Sequence, residues 1–301
     1  MNIRHSLAEL WKVVGPIILS ALSLFVTFKI LEPVALSLGK NFDLLANKGV
    51  GKIAFSVMVL LQIVLFLSIY SKKLVDKILN YSIYMFTEKK CFLRCGRYFS
   101  FFVIFHIIAQ FFFYLSGFSY YNKTQNITFA AIFSLPKGLL FSFFIVFLLA
   151  WSEEVIFRGM LYSYFAQFYQ PFSSIIITSL IFMFAHDLSN PLNLITKNWQ
   201  LGLGLFFLGI LLNLIFVLTG KLYTGIGAHM GLVAVKVFLR RIPLVEFIPE
   251  DQLPFWINND LRQSLVIQAL FLVVIILLII RHNKRLFPTT PNKIPANSNI
   301  Q

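Results

Sequence analysis

The sequence has few charged residues for its length. Only 13% of its 301 residues are Asp, Glu, Lys or Arg, whereas 58% are hydrophobic. An ordinary soluble domain carries about 25% charged residues, and the deficit excludes that class of protein. The composition, which includes 35 phenylalanines, indicates an integral membrane protein instead.

Acidic residues are scarcer than basic ones: the chain has 12 Asp and Glu and 26 Lys and Arg, which gives a net charge of +14. A basic chain can bind nucleic acid, but these cations concentrate between apolar runs and after the last one. That is how the positive-inside rule distributes Lys and Arg in cytoplasmic loops, so we expect no nucleic acid partner. The cations concerned are Lys72, Lys73, Lys77, Lys89, Lys90, Arg94, Arg97, Arg281, Lys284 and Arg285.

Cysteine is scarce, and no cleavable signal peptide is evident in the sequence. Cys91 and Cys95 are the two cysteines, and two thiols make an incomplete metal site, so we expect reduced cytosolic thiols. The first apolar run begins near Val13, is too long for a signal peptide and has no clear small-residue cleavage site. We therefore expect it to remain as a membrane anchor.

Long apolar runs, by contrast, are abundant. A membrane span needs about 20 residues, and eight runs are candidates: 13–37, 53–71, 99–119, 137–157, 172–187, 201–219, 223–240 and 264–280. The predicted fold is all-α, a polytopic integral membrane protein with about eight transmembrane helices. The more polar segment 158–171 is expected to extend the fourth helix until Pro171 ends it.

Four regions follow from this order. They are N-terminal transmembrane helices at 1–134 with a basic cytoplasmic loop at 72–98, a core at 135–240, an extramembrane loop and last span at 241–286, and a disordered tail at 287–301. Pro243, Pro249 and Pro254 predict that the 241–262 loop is irregular. With loop 72–98 inside, both termini lie in the cytoplasm, and in a prokaryote the protein is in the inner membrane.

Two adjacent carboxylates and an arginine end the fourth apolar run. Ionisable groups at membrane depth cost roughly 2.5–3.5 kcal/mol each, so they usually have a function or a partner. Glu154 and Arg158 are four residues apart and can form an ion pair on one helix face, whereas Glu153 is rotated by about 100°. We expect Glu153 to be a general base and the Glu154–Arg158 pair its scaffold. The alternative is a buried charge network that only fixes helix packing.

Two histidines, His186 and His229, lie in apolar helical runs. Phe182 precedes His186 by one turn and predicts a packing wall for the imidazole, while Asp187 is either its partner or a helix-end residue. Simple alternation of spans places Glu153 and His229 near the inner face but His186 near the outer end. Either the span limits differ by several residues, or the helices are tilted around a cavity.

Small residues surround His229 and predict that its helix packs closely against a neighbour rather than lipid. They are Gly225, Gly227, Ala228 and Gly231. Lys236 and Arg240 continue the His229 stripe at offsets of seven and eleven. They either line a polar face or reach the membrane interface, the second being favoured for Arg240.

One carboxylate and two imidazoles are sufficient for amide hydrolysis, because a base or metal can activate water and an imidazole or metal can stabilise the oxyanion. His186, His229 and Glu153 are also a zinc ligand set that leaves one position open for water. The residues leave a zinc site and a metal-free glutamate mechanism equally open.

The stretch Glu153-Glu154-Val-Ile-Phe-Arg158 resembles the EExxxR motif of the CAAX protease and bacteriocin-processing (CPBP, or Abi) intramembrane endopeptidases. Phe182-Met-Phe-Ala-His186 resembles their FxxxH motif, and His229 the histidine of their HxxxN motif, over roughly residues 135–240. The resemblance implies a helical membrane core with a water-accessible intramembrane cavity. It implies that Glu153 activates water with help from His186, and that His229 polarises the oxyanion or binds metal. The implied substrate is a membrane-associated protein or peptide of CAAX-like, bacteriocin-like or other membrane-anchored type.

The chain departs from that pattern at Val233, where the family has asparagine. Loss of one oxyanion donor typically costs about 10²–10³ in rate, so a neighbour such as Asn213 compensates, or activity is reduced or lost. Asn213 can equally hydrogen-bond between helices. The rival interpretations are a catalytically silent relative that acts as a membrane binding or immunity scaffold, and a transporter or channel.

Overall fold

The computed structural model describes residues 49–70, 89–122, 129–187, 190–241 and 244–288, together with residues 18, 22, 25–27, 29–34, 36, 37, 39 and 76. About half of the first predicted run, residues 72–75 and 77–88 of the predicted basic loop, and all but the first two residues of the predicted disordered tail lie outside these residues.

The described part of the chain is mostly helical. Its longer helices are α1 (Gly49–Tyr70), α2 (Lys89–Leu115), α3 (Phe129–Glu154), α4 (Pro171–Phe184), α5 (Trp199–Thr219), α6 (Leu222–Arg241) and α7 (Leu265–Arg281), and a short α8 (Asn283–Leu286) follows. Each of the longer helices overlaps a predicted apolar run. Within the described residues three stretches are long and apolar enough to cross a membrane: Lys90–Leu115, Trp199–Thr219 and Leu222–Leu239. The chain is therefore a mostly helical integral membrane protein, and the count of about eight spans stays a prediction.

Several helix limits differ from the prediction. α2 begins at Lys89, ten residues before the apolar run, so the end of the predicted basic loop is helical. Lys90, Arg94 and Arg97 recur at helical spacing on α2. Their aliphatic stems can lie along an apolar helix surface while the charged ends reach water. α3 begins at Phe129 and passes through Pro136, which neighbouring helices allow in a membrane protein. α4 ends at Phe184, before His186.

The all-α prediction needs one correction, because two short strands pair outside the helices. β1 (Ser119–Tyr121) and β2 (Val245–Phe247) are antiparallel, with Tyr120 opposite Glu246. The 241–262 loop is therefore not irregular throughout, and it also contains the 3-10 turn Glu250–Gln252. Pro249 follows the strand instead of interrupting it, so the three strand residues keep their backbone N–H groups for pairing.

Glycines bring α2 and α6 into close contact. A Cβ on Gly227 would overlap the carbonyl oxygen of Cys95, and one on Gly231 would lie 2.5 Å from the carbonyl oxygen of Phe99. Both pairs are four residues apart along their helices, so α2 and α6 run parallel with small residues between them. This confirms the predicted close packing around His229. Cys91 and Cys95 are not joined by a disulfide in the described part of the chain, and their cytosolic location stays a prediction.

The helices define two ends of the molecule. At one, which we call the basic end, Arg94 Nη1 donates to Tyr223 Oη (3.3 Å) and Arg285 Nη1 donates to the Leu218 carbonyl (2.8 Å). At the other, which we call the loop end, lie β1, β2 and residues 248–264. There Gln268 Nε2 donates to the Gln200 carbonyl (2.7 Å), which joins the start of α7 to the start of α5.

Candidate active site

The carboxylate motif lies where α3 changes its helical geometry. After Glu154 the helix continues as a π-helix over Val155–Tyr162, all eight residues of which are buried, and then as one turn over Ser163–Phe165. An extension of the fourth helix up to Pro171 was predicted, but the helix ends at Phe165, and Pro171 instead begins α4, where its missing N–H and fixed φ suit a helix start. The π form was not predicted either, because apolar periodicity does not separate i+4 from i+5 hydrogen bonds. π-Helical insertions occur frequently at functional sites.

Glu154 and Arg158 form the predicted ion pair at the centre of the molecule. Arg158 Nη1 lies 3.0 Å from Glu154 Oε1, and both side chains are fully buried. Arg158 Nη2 donates to the Gly209 carbonyl at 3.4 Å, and its guanidinium carbon lies 4.7 Å from the centre of the Phe182 ring. The arginine is thus held by a carboxylate, a backbone carbonyl and an aromatic face on three different elements.

His229 lies between the two glutamates. Its Nδ1 is 3.0 Å from Glu154 Oε1, and its Nε2 is 3.7 Å from Glu153 Oε2. A carboxylate oxygen accepts, so Nδ1 carries the proton and donates. Nε2 lies beyond hydrogen-bond distance from Glu153 and remains available to a substrate or water.

The two adjacent carboxylates lie in different environments. The Glu154 side chain is fully buried and paired, whereas the Glu153 side chain is 20% exposed. Within the described part of the chain, Glu153 Oε2 accepts no hydrogen bond. The arrangement is the one that the i, i+4 argument predicted: one carboxylate neutralised by arginine and the other without such a partner.

His186 lies just beyond the end of α4, in the turn that follows Phe184, and it is exposed. Its Nδ1 lies 2.8 Å from the Phe182 carbonyl, to which it donates, so Nε2 is its accepting nitrogen. The Phe182 ring is centred 4.5 Å from the His186 ring and 6.4 Å from the His229 ring, which confirms the predicted packing wall. Asp187 accepts the backbone N–H of Asn190 at 3.1 Å and so shapes the turn.

The predicted zinc ligands were Glu153, His186 and His229. Among the described residues no three His, Cys, Asp or Glu side chains converge in a way that would hold a metal ion. Phe182 packs against the His186 ring, with its centre 4.5 Å away, and lies 6.4 Å from the centre of the His229 ring. The arrangement does not fit a three-ligand zinc site, and we derive no step through a metal.

Two glycines that sequence reasoning did not assign to the site shape it directly. A Cβ on Gly225 would lie 2.6 Å from Glu154 Oε2, and Gly209 supplies the carbonyl that accepts from Arg158. Gly225 had been noted only as a small residue for helix packing. Its contact with Glu154 depends on how α6 docks on α3, which the sequence of either helix alone does not contain.

Val233 occupies the position where the family has asparagine, and Asn213 is the residue expected to compensate for it. Asn213 is fully buried, and its Nδ2 donates to Ser179 Oγ at 3.1 Å, so the interhelical hydrogen bond is present. Val233 is partly buried and packs against the hydrophobic core one turn beyond His229. Whether Asn213 also compensates for Val233 stays a prediction.

Lys236, whose role was left open, pairs with an acid from the loop end. Its Nζ lies 2.5 Å from Asp260 Oδ2, and Arg262 Nη2 lies 2.7 Å from the same oxygen. Lys236 therefore joins α6 to the 248–264 segment. The side chain of Arg240 lies outside the described atoms.

A groove of about 900 Å³ runs between α2, α3 and α6 and opens on the outer surface of the bundle. Its lining is mostly apolar, with Phe99, Leu140, Phe143, Val146 and Phe238 among its walls, and it does not include Glu153, His186 or His229. It is therefore distinct from the predicted water-accessible cavity around the motif residues, which stays a prediction.

Residues 135–235 match the family model described as Type II CAAX prenyl endopeptidase Rce1-like. The match covers about a third of the chain, contains all the motif residues and nearly coincides with the 135–240 core. It confirms the resemblance over that region. No curated protein and no solved structure matches the chain.

Proposed function

We propose that the chain is an intramembrane endopeptidase in which Glu153 activates water for attack on a peptide bond of a membrane-associated substrate. The observation that carries the proposal is the position of His229, with Nδ1 on the buried Glu154 and Nε2 facing the partly exposed Glu153. The family match over 135–235 supports the same chemistry.

The proposed reaction begins with a water molecule beside Glu153. The carboxylate takes a proton from the water while the water oxygen bonds to the scissile carbonyl carbon, and the carbonyl oxygen becomes an oxyanion. The carbon–nitrogen bond then breaks, and Glu153 returns its proton to the leaving amine. The products are a carboxylic acid and an amine, the acid then gives its proton to the amine or to water, and Glu153 is again ionised.

In this proposal the other polar groups orient the His229 imidazole and stabilise the oxyanion. Arg158 holds Glu154, and Glu154 holds His229 through Nδ1, so that Nε2 points towards the reacting groups. A proton that Nε2 takes from solvent before the attack lets His229 donate from Nε2 to the oxyanion, and that proton stays on the imidazole through the step. His186 has its Nδ1 occupied by the Phe182 carbonyl, so its Nε2 accepts a hydrogen bond from the attacking water.

The test is cleavage of a panel of membrane-anchored and prenylated peptides by purified protein in liposomes. We expect Glu153→Ala and Glu153→Gln to abolish cleavage that the wild type shows, because neither side chain can take a proton from water. Asp251→Asn, in the exposed 3-10 turn, is the matched control and should leave cleavage unchanged. Undiminished cleavage by Glu153→Gln would exclude Glu153 as the base.

Metal content and chelator sensitivity are measured on the same samples. A metal-free glutamate mechanism predicts full activity after chelation and no stoichiometric zinc. Loss of cleavage on chelation, restored by added zinc, would instead favour the predicted ligand set of Glu153, His186 and His229 brought together on metal binding.

A further inference from the structure

We propose that Arg262 is a specificity-determining residue of the candidate active site, and that it binds a carboxylate carried by the peptide substrate. The carboxylate is either the C-terminal group of the peptide or an acidic side chain, since a guanidinium binds both in the same way. This inference rests on the function proposed above and adds a chemical group by which the site selects its substrate. Arg262 lies outside residues 135–235, so the family match gives it no role.

Arg262 lies close to the candidate active site, on the segment that leads into α7. The charged groups near the His186 imidazole include both Glu153 and Arg262. His186 itself is exposed just beyond the end of α4. The guanidinium and the proposed base are therefore neighbours of one accessible imidazole, and a peptide bound there lies within reach of the positive charge of Arg262.

The main chain of Arg262 is fixed against two helices. On α5, a Cβ on Gly204 would overlap the carbonyl oxygen of Arg262, so the close approach of the two segments requires glycine. On α7, Gln268 Nε2 donates to the same carbonyl at 2.7 Å. The position of Arg262 is therefore set by the fold and does not depend on a bound substrate.

Asp260 holds the guanidinium of Arg262 in one orientation. Arg262 Nε lies 3.1 Å from Asp260 Oδ1, and Nη2 lies 2.7 Å from Oδ2, which makes a two-point contact. Arg262 Nη1 donates no hydrogen bond within the described part of the chain, and the side chain is 36% exposed. The Nη1 protons are therefore available to a ligand.

The cations around Asp260 outnumber its single carboxylate. Lys236 Nζ lies 2.5 Å from Asp260 Oδ2, the same oxygen that accepts from Arg262 Nη2. These three side chains together carry a net charge of +1. A carboxylate from the substrate would balance that charge and accept from Nη1 in a charge-assisted hydrogen bond.

Preorganisation and charge together make this contact selective. A guanidinium that one carboxylate already orients loses little conformational freedom when it binds a second. A neutral amide in the same place leaves the +1 charge uncompensated. We expect the carboxylate to bind about 10-fold more tightly than the amide, at the low end for charge-assisted hydrogen bonds because Arg262 is partly exposed.

The test is equilibrium binding of matched fluorescent peptides to purified full-length Glu153→Gln protein in uncharged detergent micelles, measured by anisotropy. Glu153→Gln keeps the shape of the site and is expected not to cleave the peptides. In the first pair of membrane-anchored peptides, the C-terminus is a carboxylate or an amide. In the second pair, both members end in an amide and carry Glu or Gln at one central position.

We expect the carboxylate member of at least one pair to have a Kd about 10-fold lower, and the pair that shows the difference identifies the source of the carboxylate. Adding Arg262→Gln should remove the difference and leave the Kd of the neutral peptide unchanged, and salt should weaken the difference. Arg281→Gln, the same substitution at an exposed position at the other end of α7, is the matched control and should keep the difference.

Equal Kd values within both pairs, or no binding by any peptide, overturn the proposal, as does a difference that persists in Arg262→Gln. If Arg262→Gln does not fold, Arg262→Lys decides, because lysine keeps the charge but not the planar fork. A smaller difference in Arg262→Lys supports the proposal, and an unchanged difference overturns it. Binding requires no cleavage, so a wild type that selects carboxylate peptides but cleaves none would contradict the proposed function alone.

Discussion

His229 Nδ1 and Arg158 Nη1 both lie 3.0 Å from one oxygen of Glu154. That oxygen is therefore the link through which a buried arginine on the π-helix controls the orientation of an imidazole on α6. In the proposed mechanism this relationship accounts for the two adjacent glutamates, since Glu154 binds the cation and the imidazole and leaves the Glu153 side chain for chemistry.

The first prediction concerns the buried Glu154–Arg158 pair. Removing either charge alone leaves its partner unpaired at zero exposure, which should destabilise the protein by about 3–5 kcal/mol. The double variant Glu154→Met/Arg158→Met should recover most of that loss, because apolar residues of similar volume replace a buried pair well. Cleavage should stay lost, since His229 no longer has its acceptor. The measurement is unfolding in detergent micelles beside the peptide assay.

Single variants as stable as the wild type would contradict this account of the pair. So would cleavage by the double variant, which would show that Glu154 is not required to orient His229.

The second prediction concerns Gly225. A methyl group there would lie 2.6 Å from Glu154 Oε2, so Gly225→Ala should displace the carboxylate. A displacement approaching 1 Å within a catalytic constellation costs on the order of 10²-fold in rate. The measurement is kcat/KM for a peptide that the wild type cleaves.

Gly96→Ala is the matched control, because Gly96 is also helical but a Cβ there meets no atom within 4 Å. It should keep full activity and gain up to about 1 kcal/mol from helix propensity. Equal activity of Gly225→Ala and Gly96→Ala would show that the Glu154 position tolerates the added methyl group.

The sequence predicted the local part of the site better than its non-local part. The Glu154–Arg158 pair follows from a spacing of four residues, and the close packing of His229 from the glycines around it. The Gly225–Glu154 and Asp260–Lys236 contacts join residues far apart in sequence, so no local pattern contains them. The β1–β2 pairing was not predicted for the same reason, since each strand has only three residues and its partner lies more than 120 positions away in sequence.

The third prediction is a pH dependence at Asp260. Burial raises the pKa of this carboxyl, but hydrogen bonds and ion pairs from Arg262 and Lys236 outweigh burial and hold the pKa well below its usual range. A lowered folded pKa contributes stability that is complete above the unfolded value of about 3.9. That contribution is lost as the pH falls through the folded pKa.

Asp260→Asn should therefore lower stability by about 1–3 kcal/mol, equally at all pH values between about 5 and 8. The difference from the wild type should shrink only in strongly acidic solution. Unfolding of the two proteins across this pH range is the measurement. A difference that already disappears between pH 8 and about 5 would mean that the carboxyl is not ionised and paired as the structure shows.

The last prediction concerns Val233, which stands one turn beyond His229 where the related endopeptidases have asparagine. If the missing amide is an oxyanion donor, Val233→Asn should raise kcat/KM by up to about 10²–10³-fold, mainly through kcat. Val237→Asn, one turn further along α6 and also partly buried, is the control and should give no increase. An unchanged rate in Val233→Asn would mean that another group already stabilises the oxyanion, and Asn213→Ala would then be expected to reduce cleavage. A silent wild type restored by Val233→Asn would identify an enzyme whose remaining machinery, from Glu153 to His229, is intact.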